Sequence, residues 1–178
     1  MNLNKYLLGL MIIFSAIISS CKKACPDDPM PLKPTTYTGT FRTDGYYYHF
    51  VEDNEWDGPI YKTYIFYRNG IMHTISMSGF DQFEADFNTG WRQQSKYGWG
   101  AYFINDSAQH MVINNWRPSQ CGQANTLTRC TVIDDTTFIA ILSIDSRIEN
   151  GKYTLNDTFH FRQHNTKPDS SNKYIWPR

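Results

Sequence analysis

The chain has 178 residues, with 17 basic and 17 acidic side chains, so its formal net charge is zero. This length is sufficient for one domain with a hydrophobic core. The lack of a basic excess excludes nucleic acid as an expected partner. Aromatic residues make up 16% of the chain, and the predominant Tyr and Phe favour half-buried strands.

The first twenty residues have the pattern of a secretory signal. Lys5 lies in a short polar segment, residues 7–18 form an apolar run, and Ser19 and Ser20 follow. The apolar run is too short for a membrane span, which requires ~20 apolar residues. We therefore expect residues 1–20 to act as a signal peptide.

The residues at the end of this signal indicate a lipid anchor. Ile18, Ser19, Ser20 and Cys21 resemble the lipobox of bacterial lipoproteins. The resemblance implies cleavage before Cys21 and acylation of that cysteine, which would hold the mature protein on a membrane without spanning it. Residue 22 is Lys, not the inner-membrane Asp of many enteric lipoproteins, which implies the outer membrane. Its periplasmic face and the cell surface both remain open, and a plain secreted protein is the alternative.

Residues 21–35 combine the acylated cysteine with a proline-rich stretch. Four prolines and no periodicity between residues 22 and 35 predict a semi-extended tether. The folded domain is then expected to begin near Thr36 and to run to Arg178.

The other cysteines are Cys25, Cys121 and Cys130. An exported chain lies in an oxidising compartment, so we expect a disulfide between Cys121, in a loop, and Cys130, near a strand start. Two unpaired thiols are the alternative, and Cys25 is left over in the tether. No cysteine has the spacing of a metal site, and we expect no metal and no cofactor.

From Thr36 onward the sequence predicts short strands joined by turns. The clearest hairpin joins Tyr61–Arg68 to Ile71–Met77 through Asn69-Gly70, which suits a type I′ turn. Further strands are predicted at Thr36–Thr43, Tyr46–Val51, Trp99–Asn105, His110–Trp116, Leu127–Ile133, Thr136–Asp145, Asp157–His164 and, in an otherwise exposed tail, Lys173–Trp176. Phe80, Phe83 and Phe87 recur at helical spacing, which predicts a short helix, a candidate lid or plug for a barrel mouth.

Eight or nine strands with such short links must pair with their sequence neighbours in antiparallel fashion. We therefore predict an all-β fold, a single up-and-down barrel of about eight strands, which encloses room for one small ligand. A β-sandwich is the alternative. The many charged and amide residues argue against a barrel inserted in lipid.

Several local features are similar to those of one known family. Gly39-Thr40-Phe41 begins the domain, a Tyr-rich stretch follows Asp44-Gly45, and Phe159-His160-Phe161-Arg162 precedes Lys167-Pro168-Asp169-Ser170. Together with the Asn69-Gly70 hairpin, they resemble the lipocalin-like lipoproteins of Bacteroidota-type Gram-negative bacteria. Lipocalins close the barrel floor with a Trp of a G-x-W motif and a late Arg. The resemblance therefore implies a floor pair of Phe41 and Arg162.

The sequence contains no motif of a catalytic or phosphate-binding site, so we expect no catalytic centre. The candidates for a ligand-binding lumen are His73, Trp99, Trp116 and Tyr64, and ordinary core packing is the alternative for each. We expect a membrane-anchored, monomeric envelope lipoprotein that binds a small apolar or amphipathic ligand. The alternative is a non-catalytic envelope module that binds protein or glycan through an aromatic surface.

Overall fold

The computed structural model describes residues 26–52, 59–120, 122–164, 167 and 169–175, apart from the side chains of residues 87, 88, 91 and 92. Eight antiparallel strands form one closed barrel, in which each strand pairs with the next and the last pairs with the first. The strands are β1 (Gly45–Val51), β2 (Ile60–Phe66), β3 (Ile71–Met77), β4 (Trp99–Asn105), β5 (His110–Pro118), β6 (Gln123–Val132), β7 (Thr137–Asp145) and β8 (Lys152–Gln163). The predicted up-and-down barrel is confirmed, and the sandwich alternative is wrong.

The predicted hairpin between β2 and β3 is present, but its turn is of a different type. Gly70 has a φ of +80°, whereas Asn69 does not take positive φ, so the turn is not type I′. Gly70 N–H donates to Tyr67 O at 2.9 Å, and Tyr67 N–H donates to Ile71 O at 2.9 Å. A turn closed by one left-handed residue is the usual three-residue hairpin loop. A Cβ at Gly70 would meet the backbone N of Thr35 at 2.3 Å, so glycine is also required for packing.

The two ends of the barrel differ, and we name them by their connections. The floor is the end with the turns 67–70, 106–109 and 133–136, and the mouth is the end with the connections 52–59, 78–98, 119–122 and 146–151. The predicted strand Thr36–Thr43 is absent, and residues 37–44 instead cross the floor. There Phe41 N–H donates to the Tyr37 hydroxyl at 3.0 Å, and that hydroxyl donates to Asp106 Oδ1 at 2.8 Å.

A second hydrophobic core lies outside the barrel wall. It buries the outward-facing side chains of β1 to β5, among them Tyr46, Ile65, Ile71, Met77, Trp99 and Trp116. The predicted helix, α1 (Phe80–Asn88), covers part of it, with Phe83 1% exposed and its ring 4.6 Å from that of Tyr46. The helix therefore packs on the wall and does not close the mouth, so its prediction as a lid is wrong.

Both chain ends also pack on this outer face. Trp116 Nε1–H donates to Asp28 O at 3.1 Å, and Leu32 N–H donates to Asn114 Oδ1 at 3.4 Å. The described part of the predicted tether, residues 26–35, is thus fixed against the wall, and we call it the N-terminal strap. The tail prediction is corrected in the same way. Ile175 is 6% exposed, and residues 173–175 form no strand.

Candidate functional site

The four candidate lumen residues do not share one side of the wall. Met72, on β3, belongs to the core inside the barrel, whereas Ile71 belongs to the core outside it. His73 alternates with Met72 and therefore points outward. Its ring lies 4.7 Å from the ring of Trp99. Trp99 and Trp116 both belong to the outer core. Tyr64 instead packs on the inner core. His73 and Trp116 also line the cavity described below.

The floor half of the lumen is filled by aromatic rings. Phe138 stacks on Phe159 at 4.7 Å, and Phe41 stacks on Tyr47 at 4.6 Å with an interplanar angle of 3°. The Phe66 ring packs edge-on against Phe41 at 5.6 Å. All five side chains are at most 2% exposed, so no ligand has room among them.

The predicted floor pair of Phe41 and Arg162 does not form. Phe41 lies in the floor as expected, but Arg162 pairs in register with the outward-facing Tyr46. Its guanidinium therefore lies outside, 4.5 Å from the centroid of the Phe80 ring. A lysine supplies the cationic contacts at the floor instead. Lys167 Nζ donates to Phe66 O at 2.5 Å and to Thr43 O, and lies 4.2 Å from the centroid of the Tyr67 ring.

A cavity of about 300 Å³ lies at the mouth end, in the gap between β3 and β5. It is lined from both faces of the wall, by His73 and Trp116 from the outer face and by Ser76 and Asn115 from the inner face. Its walls combine polar and aromatic groups: Thr74, Ser76, Asn115, Arg117, Tyr97 and Trp116 all contribute. The volume is at the lower end of the range for small-molecule sites, and the mixed lining suits an amphipathic ligand.

The cavity exists because β3 and β4 separate early. Their register covers only the pairs from Ile71↔Ala101 to His73↔Trp99. Beyond them Gly98 links three elements: Thr74 N–H donates to Gly98 O at 2.9 Å, and Gly98 N–H donates to Trp116 O at 3.0 Å. A Cβ at Gly98 would meet Thr74 O at 2.1 Å, and its φ is +79°, so only glycine fits this junction.

Charged groups on the inward face of the mouth are paired. Arg117 forms an ion pair with Asp145, whose side chain is 8% exposed. Lys62 Nζ lies 3.2 Å from Asp157 Oδ2, and His49 Nε2 lies 3.7 Å from Asp157 Oδ1. Asp145 and Asp157 therefore each have a partner among the described residues.

Arg117 Nε and Thr126 Oγ1, on the inward face near the mouth, are among the buried polar atoms that have no hydrogen-bond partner among the described residues. Buried donors and acceptors are ordinarily satisfied by protein groups, water or ligand. Each of these two atoms therefore carries a desolvation cost that no bond within the described residues offsets.

Tyr64 lies between the two halves of the lumen. Its ring packs against Phe159 at 5.0 Å on the floor side. Burial raises the pKa of the Tyr64 phenol well above its ordinary value, and its hydroxyl contacts the side chains of Thr128 and Thr74. The hydroxyl is therefore a neutral hydrogen-bonding group at the bottom of the polar half.

The predicted disulfide between Cys121 and Cys130 is not formed. Cys130 is a free, fully buried thiol on the inward face of β6, and burial raises its pKa far above the ordinary value. It lies seven residues beyond Gln123, or ~23 Å along the strand. Cys121, two residues before Gln123, cannot span that distance. Cys121, Cys21 and Cys25 themselves lie outside the described residues.

The described part of the chain lacks the groupings that a metal ion or a bilayer-spanning helix would require. No group of His, Cys, Asp and Glu there could hold a metal ion. No helix there has the length and apolarity to cross a bilayer. No family model, curated protein or solved structure matches the chain.

Proposed function

We propose that the protein is an envelope lipoprotein that binds a small amphipathic ligand in the mouth half of its barrel. It would belong with the lipocalin-like lipoproteins of Bacteroidota-type Gram-negative bacteria, anchored in the outer membrane through acylated Cys21. The carrying observation is the cavity of about 300 Å³ with its mixed lining. The lipobox-like residues Ile18–Cys21 support the anchor.

The division of the lumen restricts the size and chemistry of the ligand. The filled floor stops any ligand near Tyr64, so a long acyl chain would not fit fully inside. Tyr97 and Trp116 offer apolar surface, whereas Ser76 and Asn115 offer hydrogen bonds. A neutral molecule with one apolar part and one polar part fits this surface best, because the nearby charges are already paired.

The alternative role as an aromatic platform has less support. Trp99 and Trp116 lie outside the barrel wall, but they are 1% and 8% exposed beneath the helix and the chain ends. Trp99 therefore has no surface free for stacking on a glycan or a partner protein, and Trp116 lines the cavity.

Ligand binding can be tested with N-phenylnaphthylamine, a neutral fluorescent dye with one N–H donor. We expect saturable binding to the purified protein, and loss of that binding in Ser76→Phe, where the new ring occupies the cavity. Thr154→Phe is the matched control, because Thr154 is exposed on β8 and does not line the cavity. Equal dye binding by wild type and Ser76→Phe would count against the cavity as the site.

The anchor can be tested separately by palmitate labelling and membrane fractionation. Cys21→Ser is expected to abolish the label and release the protein from membranes. Cys25→Ser, four residues away, is expected to retain both and serves as the control. An unlabelled wild-type protein would refute lipidation without bearing on the cavity.

A further inference from the structure

The N-terminal strap begins at the mouth of the barrel. Arg147, in the connection between β7 and β8, donates from its guanidinium to Pro26 O at 2.6 Å and to Asp28 Oδ1 at 2.8 Å and 2.9 Å. Asp27 Oδ1 accepts from Gln123 N–H at 2.8 Å, and Asp27 Oδ2 lies 2.6 Å from Lys96 Nζ. Three groups, from Arg147, Gln123 and Lys96, therefore hold residues 26–28 in place at the mouth.

The electrostatics support this attachment. The hydrogen bond from Arg147 lowers the pKa of the Asp28 carboxyl, and that from Lys96 lowers the pKa of Asp27. Both carboxylates are therefore ionised, and both pairs are intact, at neutral pH.

The covalent distance from this attachment to the proposed anchor is short. Cys21 and Pro26 are five residues apart, so even a fully extended chain spans at most ~18 Å between them. The floor is farther away, because Gln123 to Val132 cover ~30 Å of strand, or ~23 Å along a barrel axis at the usual tilt. An acylated Cys21 therefore brings the mouth, and not the floor, to the bilayer surface.

The rim of the mouth has apolar side chains suited to such a surface. Phe50, Tyr97, Ile148 and Tyr153 are 46–49% exposed, and each lies in or beside a mouth connection. Aromatic rings of this kind favour the headgroup region of a bilayer, where an apolar body and a polar tip are both accommodated. Fewer exposed apolar side chains lie toward the floor, where Phe103 and Ile133 are 45% and 48% exposed.

We propose that the mouth faces the bilayer, with Tyr97 and Tyr153 among the lipid headgroups, so that the cavity exchanges its ligand directly with the membrane leaflet. This inference rests on the proposed acylation of Cys21. Its occupant is the lipid surface, because both the chain length from the anchor and the rim composition point to it. An amphipathic ligand would then leave the bilayer and enter the cavity without crossing water.

The orientation can be tested by photo-crosslinking in the full, acylated chain on vesicles of phosphatidylethanolamine and phosphatidylglycerol. Benzoylphenylalanine replaces one exposed apolar residue at a time: Tyr97 or Tyr153 at the mouth, Ile141 on the wall, and Phe103 at the floor. The last three have similar exposures of 46%, 40% and 45%, so they are matched for accessibility. We expect at least about fivefold more lipid adduct at the two mouth positions than at Phe103, because interfacial residues lie ~5–10 Å into the boundary.

Each outcome decides the proposal. Adducts confined to Tyr97 and Tyr153 support it. Adducts mainly at Ile141 would mean that the barrel lies on its side, and equal yields at all positions would mean that it has no fixed orientation. Either result overturns the proposed orientation but leaves the acylation of Cys21 intact. Absence of the palmitate label on the wild-type chain overturns the anchor and the orientation together. The two failures are thus distinguished by the label.

Discussion

The floor and mouth halves of one barrel have opposite properties although the same strands build both. The floor half is closed by stacked rings such as Phe41 on Tyr47 and Phe138 on Phe159. The mouth half keeps a cavity, paired charges and unpartnered polar atoms such as Thr126 Oγ1. The difference indicates that close ring packing is concentrated at one end of the axis and unfilled volume at the other.

On β2, β3 and β5 the inward-facing side chains change from polar at the mouth to apolar at the floor. On β2 the inward residues from mouth to floor are Lys62, Tyr64 and Phe66, on β3 they are Ser76, Thr74 and Met72, and on β5 they are Arg117, Asn115, Ile113 and Met111. Because inward positions alternate with period two, three adjacent residues of each series are enough to pass from polar to apolar. A single strand therefore contributes to both halves.

The largest expected effect is at the floor. Phe138→Ala removes a ring that is 0% exposed and contacts Phe41, Tyr47 and Phe159. We expect the free energy of unfolding to fall by about 3–5 kcal/mol, because transfer and cavity costs add. Urea denaturation measures it. At the mouth, Ser76→Ala serves as the comparison and should change stability by less than about 0.5 kcal/mol. Similar losses for both variants would contradict the division.

The next largest effect is the dependence of the free energy of unfolding on pH that Lys167, buried at the floor, causes. Burial lowers the pKa of its ammonium from the ordinary 10.5 to about 8. Between these values the unfolded chain binds one more proton than the folded chain, so stability from this group rises with pH. From about pH 8 to about pH 9.5 the gain is about 2 kcal/mol.

This gain is measured as a difference between two proteins. Wild type and Lys167→Met are unfolded in urea at each pH, and subtraction removes the contributions of other groups. The measurement stops below pH 10, because burial raises the pKa of Tyr47 and Tyr67 in the folded protein. Near pH 10 the tyrosines of the unfolded chain begin to ionise while these two stay neutral, and this difference lowers the stability of the folded state. A difference that is constant with pH would show that Lys167 is not buried as an ammonium.

A smaller effect is expected at the boundary between the halves. Tyr64→Phe removes a hydroxyl that contacts Thr128 and Thr74, but keeps the ring on Phe159. We expect a loss of about 1 kcal/mol, the usual net value of one hydrogen bond. Thermal unfolding measures the shift. A loss as large as that of Phe138→Ala would place Tyr64 in the floor half instead.

Much of the fold could be predicted from the sequence, because strand signals are local. β3 and β4 have the predicted limits, and β1 differs by one residue. β6 begins at Gln123 and not at Leu127, because Asn and Gln are weak strand formers whose pairing depends on β5. Residues 37–44 have a strand-like composition, but they close the floor as an irregular segment, which only the finished barrel determines.

The site could be predicted less well, and the reason is the second core. Period-two alternation separates inside from outside only when one face is polar. On β3 the residues of one series, Ile71, His73 and Met77, are buried under α1 and the chain ends, while Met72 is buried in the lumen. The segments that cover this outer face are distant in sequence from β3. One of them is the N-terminal strap, whose prolines predicted only a tether. The faces of His73, Trp99 and Trp116 therefore cannot be assigned from the pattern alone.

The smallest expected effect concerns the polar atoms of the mouth half. Thr126 Oγ1 is buried without a partner among the described residues, whereas the buried Thr63 Oγ1, in the outer core, donates to Ile75 O at 2.9 Å. Valine matches threonine in shape, so each substitution removes little besides the hydroxyl. We expect Thr63→Val to cost about 1 kcal/mol.

By the same reasoning, Thr126→Val is expected to be neutral or slightly stabilising, within about 0.5 kcal/mol, because an unpartnered buried hydroxyl carries a desolvation cost and no compensating bond. Urea denaturation of both variants beside the wild type measures the pair. A loss at Thr126 equal to that at Thr63 would mean that ordered water already satisfies this hydroxyl. The mouth would then be a fully bonded network like the rest of the wall, with no polar atom reserved for a ligand.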